Sequence, residues 1–261
     1  MPEIDINGTR PHFRFDGPEN GPVVMLSNAI HADLTMWDLQ IKPLVGAGFR
    51  VLRYDNRGQG MSAATPGPYS IELLVNDVVA LMDKFALQSV HFCGLSLGGM
   101  IGQMLAARCG NRLRSLILCA TAAHMPLADL WDQRIATARK DGMAALADAA
   151  IDRWFTKAGQ ERLQDEVRSV RNAILTTSVE GYCACCLAIR DMDQRGSIRT
   201  VTTPTLIIVG ELDMSTPVEA SEFLHKRIAH SNLIVIPEAK HLVNIERAKE
   251  FNDAILGFLR P

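Results

Sequence analysis

The chain has 261 residues, of which 48% are hydrophobic and 21% are charged, and its formal net charge is −2. This length suits one α/β domain with a large core, or such a core that carries a modest insertion. The near-neutral charge, and the lack of basic clusters with interleaved aromatic residues, exclude a typical nucleic-acid-binding protein.

Membrane and export signals are not found in the sequence. No apolar run approaches the length of a bilayer span, and residues 1–7 lack the basic and apolar regions of a signal peptide. The sequence therefore predicts a cytoplasmic protein. Six cysteines stand at positions 93, 109, 119, 183, 185 and 186. Because they lack metal-ligand spacing and an oxidising compartment, we predict free structural thiols and no metal site.

Short β-branched and apolar runs recur along the chain at intervals suited to alternating strands and helices. The predicted strands are residues 23–26, 49–54, 90–93, 113–119, 205–209 and 233–236. Near-continuous apolar runs are typical of parallel strands that are buried on both faces. Residues 71–82 have apolar positions spaced for a helix packed on the sheet. The N-terminal segment through Phe15 is predicted to form a short antiparallel hairpin at the sheet edge.

One region interrupts this alternation. From residue 124 to residue 197 the sequence contains helical stretches rich in Ala, Arg and Met, without a strand pattern. We predict that residues 124–197 form a helical cap over the end of the sheet. Residues 1–123 and 198–261 then form one α/β core domain with a mostly parallel sheet flanked by helices.

Residues 94–98 read Gly-Leu-Ser-Leu-Gly and place Ser96 between a predicted strand and a predicted helix over residues 99–107. Such a turn strains the serine backbone, and side chains at the two glycine positions would collide with neighbouring elements. The five-residue pattern alone is moderately specific. The strand before it and the helix after it make Ser96 the predicted nucleophile.

A serine hydroxyl needs a base within hydrogen-bond reach, and that base needs an orienting acid. After a turn of this kind the partners follow in the order serine, acid, histidine. The seven histidines are His12, His31, His91, His124, His225, His230 and His241. His12, His31 and His91 precede the serine. His241 lies in a loop after a late strand and before a terminal helix, and it is the predicted base.

The orienting acid should follow a strand between Ser96 and His241. Glu211 and Asp213 both follow the predicted strand over residues 205–209. The Gly-x-x-Asp spacing and the shorter side chain favour Asp213. The alternative role for either carboxylate is to accept hydrogen bonds from N–H groups at the start of the next helix.

Two main-chain N–H groups must face the oxyanion that develops during acyl transfer. Leu97 follows the nucleophile and is predicted to supply one of them. The second should come from the loop after the first buried strand, where Ile30 occupies the expected donor position.

Several further stretches share a pattern with one family. They are residues 26–30 (LSNAI), 33–37 (DLTMW), 53–62 (RYDNRGQGMS), 180–182 (EGY), 188–193 (AIRDMD) and 241–246 (HLVNIE). By these motifs the chain resembles the α/β-hydrolase fold family, and within it the 3-oxoadipate enol-lactonases of bacterial aromatic catabolism. Two departures are Asn28-Ala29, where these hydrolases usually carry His-Gly, and Gln59, where a histidine is common.

The resemblance implies hydrolysis of 3-oxoadipate enol-lactone, a small anionic lactone, to 3-oxoadipate. Ser96 would attack the ring carbonyl, His241 would act as base, and no cofactor would be required. A carboxylate-bearing substrate needs a cationic anchor, and the predicted cap offers Arg134, Arg139, Arg153 and Arg190. We favour Arg134, one helical turn from Trp131, with Trp131 and Trp154 as apolar walls.

Other functions use similar residues. A cofactor-free perhydrolase or a carbon–carbon bond hydrolase would need the same triad, and a small-molecule receptor could use the same fold without turnover. Rapid hydrolysis of the lactone would separate an enzyme from a receptor. The sequence does not determine the oligomeric state.

Overall fold

The computed structural model describes residues 4–259. Seven strands form one sheet in the order β1-β3-β2-β4-β5-β6-β7, in which β1 is antiparallel and the others are parallel. The strands are β1 (Phe13–Asp16), β2 (Val23–Ser27), β3 (Arg50–Tyr54), β4 (Val90–Leu95), β5 (Leu113–Cys119), β6 (Thr205–Gly210) and β7 (Ser231–Ile236). Residues 1–3 and 260–261 of the predicted core domain, and hence part of the N-terminal segment examined for an export signal, lie outside the described residues.

Eleven α-helices connect and cover these strands within the described part of the chain. They are α1 (Asp38–Gly46), α2 (Ile71–Lys84), α3 (Leu97–Cys109), α4 (Ala128–Asp141), α5 (Ala144–Trp154), α6 (Lys157–Arg162), α7 (Gln164–Thr176), α8 (Val179–Asp191), α9 (Val218–His225), α10 (Val243–Glu246) and α11 (Ala248–Phe258). The predicted α/β architecture, with a mostly parallel sheet between helices, is confirmed.

The central strands are buried along their whole length, as their continuous apolar sequences predict. Helix α2 begins after Ser70, whose side chain accepts a hydrogen bond from the Leu73 N–H group and so caps the first turn. The apolar face of α2 is buried and packs against α3. Because β2 to β7 are parallel, every loop that leaves the carboxyl end of one of these strands reaches the same edge of the sheet.

The predicted N-terminal hairpin is wrong. The strand β1 does lie antiparallel at the sheet edge, but its partner is β3, with Phe13 opposite Tyr54. A local turn brings only Ile6 and Thr9 together, in an isolated antiparallel bridge. The strand partner of Phe13 is thus 41 residues away, too far along the chain for a local hairpin pattern to predict it.

Helices α4 to α8 all lie between β5 and β6, in the segment predicted to form a cap. An isolated bridge between His124 and Asp193 joins the two ends of this segment. Helix α8 lies directly on the loop after β3, because a Cβ atom on Gly181 would come within 2.0 Å of the Gly58 carbonyl oxygen. The assignment of residues 124–197 as a separate domain remains a prediction.

All six cysteines are free, as predicted. Among residues 4–259, no single helix is long and apolar enough to cross a membrane. By length and composition alone, α7 and α8 together reach that size, but they meet at 97°.

Candidate active site

Ser96 lies in a tight turn between β4 and α3, with a φ of +55°. A Cβ atom on Gly94 would lie 2.1 Å from the Gly98 carbonyl oxygen, and one on Gly98 would lie 2.1 Å from the Ser27 carbonyl oxygen. Only glycine fits at either position, as the motif predicts. The Ser96 N–H group donates to the Cys119 carbonyl (2.9 Å), which fixes the turn to β5. The positive φ identifies a strained serine, a feature typical of functional sites.

Asp213 and His241 form a buried pair at the same edge of the sheet. The Nδ1 atom of His241 donates to Oδ2 of Asp213 at 2.8 Å, and each residue is only 2% exposed. Asp213 also accepts from the Thr216 hydroxyl (2.8 Å) and from the N–H groups of Ser215 (2.8 Å) and Thr216 (3.2 Å). With Nδ1 as donor, the Nε2 atom of His241 is the proton acceptor that a base needs.

Burial alone would raise the pKa of Asp213. The charge interaction and hydrogen bond with His241, together with the hydrogen bonds from Thr216, outweigh burial and lower this pKa below its ordinary value. Asp213 is therefore a carboxylate at neutral pH, which suits the stabilisation of a protonated histidine.

Glu211, the other carboxylate left open by the sequence, lies elsewhere. It is exposed, and its side chain accepts from the Glu238 N–H group at 3.2 Å. The structure therefore places Asp213, and not Glu211, beside His241.

The loop after β2 approaches the N-terminus of α3. The Gly98 N–H group donates to the Asn28 carbonyl at 3.0 Å, which holds the two segments together. The N–H groups on either side of Ile30 are occupied, since Ala29 donates to Met36 Sδ (3.4 Å) and His31 donates to Gln59 Oε1 (2.6 Å). The N–H groups of Ile30 and Leu97 have no acceptor among the described residues. This is the arrangement expected of two oxyanion donors.

A cavity of about 160 Å³ opens at this edge of the sheet, beneath the helices that follow β5. Ser96, His241 and Ile30 line its floor, and Trp131, Arg134, Arg153 and Trp154 line its opposite side. Trp154 stacks on His241, with ring centroids 6.1 Å apart and an angle of 28° between the planes. All three residues that the sequence nominated for substrate contact thus line the cavity with the predicted nucleophile and base.

Two cations of the cavity have no carboxylate partner among residues 4–259. Arg134 lies over the ring of Trp131, with 4.6 Å between its guanidinium carbon and the ring centroid. Burial, and then the charge of Arg134, lower the pKa of Arg153. By contrast, Arg190 pairs with Asp132 (2.6 Å) and Asp191 (2.7 Å) outside the cavity. The cavity therefore has an uncompensated positive charge that suits an anionic ligand.

The sequence argument missed His31. This residue has a φ of +46°, is 3% exposed, and lines the same cavity. Its ring centroid lies 4.7 Å from that of Trp154 and 5.0 Å from that of Tyr182. His31 precedes the serine in the chain, but chain order selects only the base of the triad and does not bear on residues that contact a substrate. Its position next to Ile30 was the signal that could have identified it.

No group of three or more His, Cys, Asp or Glu side chains in the described part of the chain is placed to hold a metal ion.

Comparison with known proteins gives the family. A model of the alpha/beta hydrolase family matches residues 30–254. The chain is 36% identical to 3-oxoadipate enol-lactonase 2 of Acinetobacter baylyi over 244 residues, which cover 94% of this chain and 91% of that protein. The chain belongs to the α/β-hydrolase family.

Two further relatives of this hydrolase agree in sequence and in structure. A second A. baylyi protein, 3-oxoadipate enol-lactonase 1, is 30% identical over 95% of this chain and 92% of its own length. The crystal structure of the enol-lactonase from Burkholderia xenovorans LB400 has a TM-score of 0.96 and 40% identity, and the match covers 98% of this chain and 99% of that one. The resemblance inferred from the motifs is confirmed, and the chain is a hydrolase that acts on ester bonds.

Proposed function

We propose that this α/β-hydrolase opens 3-oxoadipate enol-lactone to 3-oxoadipate in the cytoplasm, as a step in the bacterial catabolism of protocatechuate or catechol. The observation that most supports this substrate is the set of residues that line one cavity. Ser96 and His241 line it together with two arginines that have no carboxylate partner in the described part of the chain, so it combines an acyl-transfer site with a site for an anion. The enol-lactone has both matching groups, an ester carbonyl in the ring and a free carboxylate.

In the proposed acylation step, the Ser96 hydroxyl oxygen bonds to the ring carbonyl carbon while its proton moves to His241 Nε2. Asp213 holds the resulting imidazolium by its hydrogen bond to Nδ1 (2.8 Å). The carbonyl oxygen becomes an oxyanion and accepts from the N–H groups of Ile30 and Leu97.

Collapse of this intermediate breaks the bond between the acyl carbon and the ring oxygen. The ring oxygen takes the proton from His241 and leaves as an enol, which becomes a ketone by tautomerisation. The leaving group stays on the same molecule, so no fragment departs before hydrolysis. A water molecule then gives a proton to His241 and attacks the acyl carbon, which releases 3-oxoadipate and restores Ser96.

The two arginines give the proposal its preference for an anion. A carboxylate under the helical segment would lose its hydration, and Arg134 and Arg153 would replace it with charge-assisted hydrogen bonds. Trp131 and Trp154 would enclose the apolar faces of the ring. No redox partner and no cofactor enter any step.

The direct test is loss of enol-lactone absorbance on addition of the purified protein. We expect rapid turnover, and a reduction of about 10⁴-fold or more for Ser96→Ala, as for other triad nucleophiles. A folded Ser96→Ala protein with activity within tenfold of the wild type would contradict the mechanism. Peracid formation without lactone opening would instead favour a perhydrolase.

A further inference from the structure

His31 has no role in the triad, yet it lines the cavity. It projects from the loop that carries Ile30, and its ring is in contact with Trp154 and Tyr182. The main chain is held there by the hydrogen bond from the His31 N–H group to Gln59 Oε1 (2.6 Å). The backbone of His31 is thus fixed in a left-handed conformation that most residues avoid.

The imidazole of His31 is unpartnered. Its Nδ1 atom is buried without a hydrogen-bond partner, and no described residue forms a hydrogen bond with either ring nitrogen. Buried polar atoms of side chains almost always have a partner, so an orphaned one beside a cavity needs an explanation. Nδ1 is fully enclosed and Nε2 is not, so Nε2 is the ring nitrogen to which a ligand in the cavity can supply a partner.

The ring is neutral at ordinary pH. Burial, followed by the positive charges of Arg153 and Arg134 and the neighbouring His241, lowers the pKa of His31 to about 3. The ring of Tyr182 faces it from α8 and is also uncharged, because burial raises its pKa far above the ordinary value. A neutral imidazole has one N–H donor and one acceptor nitrogen.

The choice between the two tautomers follows from burial. A buried N–H group without an acceptor is rarer than a buried acceptor without a donor. The proton therefore belongs on Nε2 and the lone pair on the enclosed Nδ1. His31 then offers an N–H donor alongside the guanidinium groups of Arg153 and Arg134.

We propose that His31 binds the substrate carboxylate through its Nε2–H group, together with Arg153 and Arg134, and so determines the preference for anionic substrates. The three side chains are all donors, and no Asp or Glu side chain lines the cavity with them among the described residues. This inference rests on the proposed lactonase function, because it assigns the residue that recognises the acidic arm of that substrate.

The test uses two readouts on full-length variants whose folding is checked by circular dichroism. The first is the Kd of glutarate, a dicarboxylate without an ester, measured by calorimetry. The second is KM and kcat for the enol-lactone and for its neutral methyl ester. His31→Phe keeps an aromatic ring against Trp154 and removes both nitrogens. His31→Gln restores a side-chain N–H donor.

We expect His31→Phe to raise the Kd of glutarate and the KM for the anionic lactone about tenfold, with less than a twofold change for the methyl ester. His31→Gln should recover at least half of the loss on a logarithmic scale. His91→Phe is the matched control, because His91 is also buried but packs against Phe49 and bonds to Ser115 (2.8 Å), away from the cavity. It should leave glutarate binding unchanged.

Equal losses on the anionic lactone and its methyl ester, or no loss on either, would overturn the assignment of His31. A wild-type protein that binds no glutarate would overturn the carboxylate site itself. The two proposals fail separately. If the wild type binds glutarate in a His31-dependent way but does not open the lactone, the lactonase function fails and the role of His31 stands.

Discussion

Replacement of Asp213 by asparagine tests the orientation of the proposed base. In the native site, Oδ1 of Asp213 accepts from the N–H groups of Ser215 and Thr216, and Oδ2 accepts from His241 Nδ1. The asparagine oxygen will keep the position of Oδ1, because two main-chain donors point at it. Its NH₂ group must then face His241.

An amide donor at that position reverses the tautomer of His241. Nδ1 becomes the acceptor and Nε2 takes the proton, so the imidazole can no longer accept the proton of Ser96. In a protease triad this change lowers kcat by about 10⁴-fold, which corresponds to about 5 kcal/mol of lost transition-state stabilisation. We expect Asp213→Asn to lower kcat for the enol-lactone by about 10³- to 10⁴-fold, with KM changed less than threefold.

Glu211→Gln is the matched control, because Glu211 follows the same strand but is exposed, and its side chain accepts from the Glu238 N–H group rather than from His241. Its kcat should stay within twofold of the wild type. The loss of lactone absorbance at saturating lactone gives kcat for both variants. A larger loss at Glu211 than at Asp213, or losses of equal size, would refute the reasoning.

Three further results are expected. Arg134→Met should lower kcat/KM for the enol-lactone at least tenfold more than for its neutral methyl ester, because Arg134 pairs with no carboxylate of residues 4–259 and is free to bind that of the substrate. Parallel losses in steady-state assays would contradict this. His31 has a folded-state pKa of about 3, so the unfolded chain binds its proton first and stability falls as pH drops from about 6.5 towards 3. Between pH 7.5 and pH 5, the free energy of unfolding of the wild type should therefore fall by about 2 kcal/mol more than that of His31→Asn, measured by urea unfolding. An equal fall in the two proteins would contradict a lowered pKa of His31. Glu246→Ala should lower the free energy of unfolding by about 3 kcal/mol, because Glu246 accepts hydrogen bonds from the N–H groups of Thr156 (2.7 Å) and Lys240 (2.8 Å). Since Lys240 directly precedes His241, the variant should also have a lower kcat. An unchanged kcat would contradict this second effect.

The sequence predicts the sheet well where a strand is marked by its own residues. The predicted strand over residues 205–209 corresponds to β6 (Thr205–Gly210) because an unbroken apolar run needs no partner to be recognised. The first two residues of β7, Ser231 and Asn232, were missed since they are polar. They are in the strand because Thr205 and Leu206 of β6 pair with them.

The site was predictable to the same extent. The local Gly-x-Ser-x-Gly motif predicts Ser96 as the nucleophile. The order of the residues in the chain and their positions in loops after strands predict His241 and Asp213. The orphaned ring of His31 was not predictable, because its meaning comes from Arg153, Trp154 and Tyr182, which are more than 120 residues away in the sequence. Spacing along the sequence does not predict that the loop after β2 contacts helices that lie between β5 and β6.

The measurement that most directly tests the central claim is the ratio of kcat/KM for 3-oxoadipate enol-lactone to kcat/KM for p-nitrophenyl acetate. The acetate ester can use Ser96 and the oxyanion donors but has no carboxylate for the arginines, so it lacks the binding energy that positions the carbonyl. We predict that the lactone is preferred by several orders of magnitude, without added metal or nucleotide. Similar values for the two substrates would contradict the lactonase proposal and leave a general esterase.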